Sequence, residues 1–106
     1  MKTIGTHNYY VYIVTNKLKT VLYIGLTNNL SRRLFEHNQD SIEEKKHFTG
    51  KYNLYFLLYY EYFADVNEAI RREKYLKGLL RKKKDSIITD FNPNWEFLNE
   101  QFTDII

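Results

Sequence analysis

The stretch Tyr23-Ile24-Gly25-Leu26-Thr27-Asn28-Asn29-Leu30-Ser31-Arg32-Arg33-Leu34-Phe35-Glu36-His37 decides the fold of this chain. Aromatic and β-branched residues open it as a strand that ends at Gly25. Polar residues follow and lead into a helix expected from about Asn29 to Asn38, with Thr27 or Asn28 as its N-cap. On that helix Leu30, Leu34 and His37 fall nearly in line, with Arg33 beside them. An arginine and a histidine four residues apart thus border the apolar side of a helix that directly follows a strand. Such a polar cluster suits phosphate chemistry.

Upstream, Asn8 to Val14 reads as the preceding strand. Tyr10, Tyr12 and Val14 would share one face, and Tyr9, Val11 and Ile13 the other. Thr15-Asn16-Lys17-Leu18-Lys19 turns the chain, so Thr20 to Gly25 returns as a hairpin partner in which Val21, Tyr23 and Gly25 alternate with Leu22 and Ile24. Downstream, Asp40 to Tyr52 is polar and reads as a loop. Leu54 to Phe63 is almost unbroken apolar and aromatic sequence, as in a central strand covered on both faces. Asp65 and Glu68 have the spacing of a capping box and open a second helix, about Val66 to Lys83, with the apolar stripe Val66, Ala69, Ile70, Leu76 and Leu80. There is room for a short helix around Asp85 to Thr89 before Asn92-Pro93-Asn94-Trp95 stops the chain. The order β-β-α-β-α predicts an α+β fold, a small three-stranded antiparallel sheet flanked by helices.

The length of 106 residues is that of one domain, 1–106, with one modest core. With 43% hydrophobic and 17% aromatic residues, packing is expected rather than disorder. The absence of cysteine excludes disulfides and thiolate zinc sites and fits a reducing cytoplasm. No apolar run approaches the roughly 18 residues of a membrane span, and Met1 to His7 lacks a signal-peptide core. The expectation is a cytoplasmic protein without a membrane partner. The net charge of +3 hides an asymmetry: residues 1–84 hold all 16 Lys and Arg against 8 acidic residues, whereas 85–106 hold 5 acidic residues and no Lys or Arg. Arg32, Lys51, Arg71, Arg72, Lys74, Lys77, Lys82, Lys83 and Lys84 are the candidate contacts to a polyanion; a charge run of this kind also serves simply as a solvated helix face.

Glu73 is the sharpest single residue, a carboxylate in the middle of an apolar stripe. Such a charge needs a partner. A salt bridge to Arg33 or Lys77 would supply one; so would a divalent cation, for which one carboxylate plus waters and a substrate phosphate is a typical magnesium set. Arg33 matches phosphate oxygens, and His37 suits proton transfer or phosphate contact; the plainer reading is a surface arginine beside a core-edge histidine. Tyr12 and Tyr23 are expected as cross-strand neighbours, and either is core filler unless a cation lowers its phenol pKa. Gly25 would let a phosphate backbone approach closely, or would serve only to turn the chain.

Together these residues resemble the GIY-YIG nuclease superfamily. Tyr23-Ile24-Gly25 reproduces the second signature motif, and Tyr10-Val11-Tyr12 lies where the first belongs, keeping its final tyrosine. Arg33, His37 and Glu73 stand at the spacings of the family's arginine, histidine and metal-binding glutamate, and Asn92 or Asn94 fits its late asparagine. Phe48-Thr49-Gly50-Lys51-Tyr52 and Asn92-Pro93-Asn94-Trp95 are similar to segments of the small stand-alone bacterial members, which themselves resemble the N-terminal nuclease domain of a DNA-repair excinuclease. The resemblance implies a metal-dependent endonuclease acting on DNA, in repair, recombination or related processing. One Mg²⁺ or Mn²⁺ would sit at Glu73, with Tyr12 as base or water-orienting group, Tyr23 and His37 positioning water and phosphate, and Arg33 neutralising transition-state charge. No small-molecule cofactor is implied, and a monomer is expected. The competing reading is a non-catalytic nucleic-acid-binding module on the same fold. The acidic segment from about 85 would either dock and complete the core through Trp95, Phe97, Leu98 and Phe102, or fold over the basic helix as an autoinhibitor.

Overall fold

A computed structural model describes residues 7–42 and 53–102. Strands β1 (Tyr9–Thr15), β2 (Leu22–Thr27) and β3 (Phe56–Phe63) form one antiparallel sheet. Helices α1 (Leu30–Ile42), α2 (Val66–Lys77) and α3 (Arg81–Phe91) flank it, and a short 3-10 helix spans Asn99–Phe102. The α+β reading and the element order are borne out.

The strand order is β2-β1-β3, so the middle strand is β1 and not the apolar run of β3. The five residues Val11 to Thr15 are buried, as a strand covered on both faces requires. β3 is apolar for another reason: its outer edge is covered by the chain's own later segment. Leu98 N–H donates to Leu57 O at 2.8 Å, and Leu57 N–H donates to Asn99 Oδ1 at 2.8 Å. The Asn99 amide also donates to Tyr55 O at 2.9 Å. An asparagine side chain thus substitutes for a fourth strand and satisfies edge groups that would otherwise be open to pairing.

The two faces of β1 divide the core as alternation predicts. Tyr12 and Val14 pack with Leu30, Leu34, Leu54 and Leu57 on the α1 side. Val11 and Ile13 pack with Ile24, Leu58, Ala69, Leu76 and Ile88 on the α2–α3 side. Asn29, one residue beyond the expected caps, caps α1: its Oδ1 accepts the Arg32 N–H at 3.0 Å. The helix runs past Asn38 to Ile42, since no glycine or proline interrupts that polar stretch; the rest of the expected loop, including Phe48 to Tyr52, lies outside the described residues.

The helix expected to run to Lys83 is instead two. Gly78 N–H bonds back to Lys74 O and Tyr75 O and ends α2. Leu80 is extended (φ −67°, ψ 155°) and starts α3, which absorbs the short helix expected at Asp85 to Thr89. Leu80 consequently leaves the apolar stripe and is 78% exposed. Asp65 caps α2 as predicted, accepting Glu68 N–H at 3.1 Å. The C-terminal segment docks through Trp95, Leu98 and Phe102, with Phe97 stacked on Phe56. Residues 85–91 belong to α3 itself, Trp95 Nε1 donates to Thr89 Oγ1 of that helix at 2.9 Å, and Leu98 and Asn99 bond the β3 edge.

Candidate active site

Tyr12 and Gly25 are register partners across β1 and β2, and Tyr23 lies diagonally from Tyr12, opposite Val14. The tyrosines are therefore same-face neighbours rather than a direct cross-strand pair. The ring of Tyr12 lies over Gly25: a Cβ there would fall 2.5 Å from Tyr12 Cζ and 2.8 Å from Cε1, closer still to the hydroxyl. Gly25 is buried within β2 and forms the seat of a tyrosine, neither a turn nor a gap left for phosphate.

α1 closes the seat from above. The Tyr12 hydroxyl and His37 Nε2 share a buried hydrogen bond of 2.9 Å, and the Tyr23 ring meets His37 edge-on at 5.8 Å. His37 is 0% exposed. Its place in line with Leu30 and Leu34 was the sequence signal for that burial. Arg33, one turn earlier, has a side chain 31% exposed; its guanidinium acts electrostatically on the Tyr12 hydroxyl while Nη1 donates to Glu36 Oε1 at 3.0 Å. Sequence reasoning missed Glu36; its i,i+3 spacing from Arg33 was the available signal.

Burial pushes the Tyr12 phenol well above its ordinary value of 10.0, and the adjacent Arg33 guanidinium pulls back only part of that rise. Tyr23 and Glu73 push it slightly further up, so the Glu73 carboxylate lies within electrostatic reach of the phenol. Glu73 is 19% exposed and pairs with Lys77 Nζ at 3.0 Å, the structural partner foreseen for it. No cluster of three His, Cys, Asp or Glu occurs among the described residues, so a cation held at Glu73 would receive one carboxylate there.

The basic candidates divide. Arg71, Lys74, Lys82 and Lys83 are exposed, Lys84 is half-buried and Lys77 serves Glu73. Arg32 bonds Asn28 Oδ1 at 3.1 Å and lies 3.7 Å from Glu36. Arg72 departs from the expected polyanion surface: its Nε donates to Glu61 Oε1 at 2.9 Å, an oxygen that also accepts the Tyr59 hydroxyl at 2.9 Å. Lys51 lies outside the described residues. Asn92 is buried and structural, its amide donating to Leu58 O and Glu96 O, whereas Asn94 is exposed. No helix among the described residues is long and apolar enough to cross a membrane.

Comparison with known proteins agrees with this geometry. The model of the GIY-YIG catalytic domain matches residues 8–85. A UPF0213 protein of Clostridium perfringens is 38% identical over 80 residues, 76% of this chain and 82% of that protein. One from Bacillus pumilus is 34% identical over 94 residues, covering 89% and 92%. The solution NMR structure of a UPF0213 protein from Bacillus halodurans superimposes with a TM-score of 0.55 at 27% identity, covering 92% of this chain and 99% of that one. With a tyrosine seated on the glycine of Tyr23-Ile24-Gly25 and a domain match that spans the whole sheet, the chain belongs to the GIY-YIG family of nuclease domains.

Proposed function

We propose that this chain is a divalent-metal-dependent DNA endonuclease, structure-selective or weakly sequence-specific, serving repair, recombination or related DNA processing. The observation that carries the proposal is the buried hydroxyl of Tyr12, bonded to His37 Nε2 at 2.9 Å, with the Arg33 guanidinium and the Glu73 carboxylate in electrostatic range. What sets it apart from the Tyr59–Arg72–Glu61 cluster is that its buried partner is an imidazole, so no carboxylate bonds the phenol directly.

Tyr12 is a neutral phenol in this environment. With its proton directed to His37 Nε2, its oxygen keeps lone pairs that would accept a proton from an attacking water drawn in with the substrate. As that water bonds to phosphorus and the bond from phosphorus to the leaving oxygen breaks, the water proton passes to the Tyr12 oxygen while the Tyr12 proton moves to Nε2. No buried phenolate accumulates, and the departing alkoxide takes its proton from solvent. Arg33 meets the negative charge that grows on the phosphoryl oxygens. Glu73 fits a hard divalent cation, Mg²⁺ or Mn²⁺: its present partner is an i,i+4 ammonium on a half-exposed side chain, a pair worth only about 0.3–0.5 kcal/mol. A bound ion would polarise the scissile phosphate and stabilise the leaving oxygen.

The test is cleavage of labelled branched, nicked, single-stranded and plain duplex DNA with Mg²⁺ or Mn²⁺, beside Glu73→Ala. The expected result is metal-dependent cutting that falls at least about a hundredfold in the variant. Binding without cutting of any substrate would replace the enzyme by the binding module.

A further inference from the structure

Two leucines stand in water at one end of the molecule. Leu18, in the β1–β2 loop, is 79% exposed, and Leu80, between α2 and α3, is 78% exposed. The segments that carry them are braced together. Arg81 Nη1 donates to Thr20 O at 2.9 Å and Nη2 to Lys19 O at 3.2 Å, while its Nε holds Asp85 at 2.8 Å. Within the loop, Asn16 Oδ1 accepts the N–H groups of Thr20 and Val21 at 2.8 and 3.0 Å. These bonds hold the loop backbone against the start of α3.

Lys17 and Lys19 flank Leu18 in sequence, the second with its ammonium 5.1 Å from the Phe97 ring, and Lys82 follows Leu80 by two residues, Arg81 between them being engaged in the brace. Apolar tips between cations have a specific use on DNA, where basic side chains hold phosphates and the apolar side chain enters a base step. The position suits that use. Tyr23 lies in the strand that leaves the loop, and Lys77, the partner of Glu73, ends α2 three residues before Leu80. A DNA strand seated at Tyr23 and Glu73 would continue onto this end.

We propose that Leu18 and Leu80 form a wedge that enters a base step beside the scissile phosphate, so that the chain selects DNA whose stacking is already interrupted by a nick or a fork. Continuous duplex must pay for unstacking; a broken step has already lost it. The wedge rests on the nuclease reading for its position, but its test needs no cutting.

The probe is DNA carrying 2-aminopurine at a nick, at a fork junction, or in unbroken duplex of the same sequence, bound by the full chain in EDTA. The wild-type chain should raise 2-aminopurine fluorescence at least twofold at the nick and fork. Leu18→Ser with Leu80→Ser should abolish that rise and weaken nick and fork binding about tenfold, with unbroken duplex changed less than twofold. An unchanged signal in wild type, an equal loss on all three DNAs, or no binding would overturn the wedge. So would sedimentation showing a dimer that the serine variant dissociates, because the leucines would then serve a second copy. Cutting without a fluorescence rise removes the wedge alone; a rise without cutting removes the nuclease alone.

Discussion

Two phenol–arginine pairs lie on opposite faces of this sheet, and their third members differ. Tyr59 and Arg72 meet Glu61, whose Oε1 accepts from both at 2.9 Å. A cation, a carboxylate and a phenol cancel there. Tyr12 meets His37, an imidazole that brings no negative charge, and the carboxylate that answers Arg33 is Glu36 on the helix surface. Burial raises both phenols above the ordinary value of 10.0. Both ion pairs are part-exposed, so exposure does not separate them. In the first the carboxylate bonds cation and phenol together, whereas in the second it bonds the cation alone, which leaves that cation able to exchange it for a phosphate. The third residue, more than the tyrosine or the arginine, separates brace from site.

The comparison breaks most visibly at Arg33. Arg33→Ala should lower single-turnover cleavage by about 10²–10³, with DNA affinity moving much less, because its contact strengthens in the transition state. Equal losses of affinity and turnover would make it a binding residue. Gly25→Ala comes next. Its Cβ would collide with the Tyr12 ring, so a stability loss of about 1–3 kcal/mol by urea unfolding is expected. Cleavage should fall with it as the bond to His37 is lost, and a variant with normal stability and turnover would show that the seat is slack. Arg72→Ala should cost about 1 kcal/mol, discounted because Arg72 and Glu61 are 30% and 38% exposed, and should leave the cleavage rate intact. A hundredfold slower Arg72→Ala would erase the distinction between the clusters.

The smallest effect is in alkaline stability. The native chain keeps the Tyr12 proton where an unfolded chain loses it near pH 10.0, so this contribution is whole below that pH and is lost as pH rises toward the higher native value. Tyr12→Phe should flatten part of the decline in unfolding free energy above about pH 10, and Tyr59→Phe should flatten a further part. If neither variant changes the slope, the phenols ionise alike in both states.

Much of this was legible because local pattern and tertiary role coincide. The alternation in Tyr9 to Val14 gave both faces of β1, and the carboxylate in the α2 stripe singled out Glu73 and its partner Lys77. The misreadings arose where the answer lay far along the chain. β3 reads as a central strand because nothing near Phe56 says that Asn99, over 40 residues later, will cover its edge. The division of the basic helix was signalled by Gly78, but a charge pattern continuous through Lys84 outweighed one glycine. Arg72 could not be told from Arg71, because its use depends on Glu61 and Tyr59 of a neighbouring strand.

The seating of Tyr12 on Gly25 has a consequence for how such a chain changes over generations. The two residues lie 13 positions apart and belong to separate signature motifs, yet they share one contact. Neither can drift independently. An alanine arising at position 25 expels the ring, and a smaller residue at position 12 leaves a hole above the glycine. A lineage that abandons cutting is therefore expected to lose both together, and a descendant that keeps one without the other has repacked the space between β2 and α1.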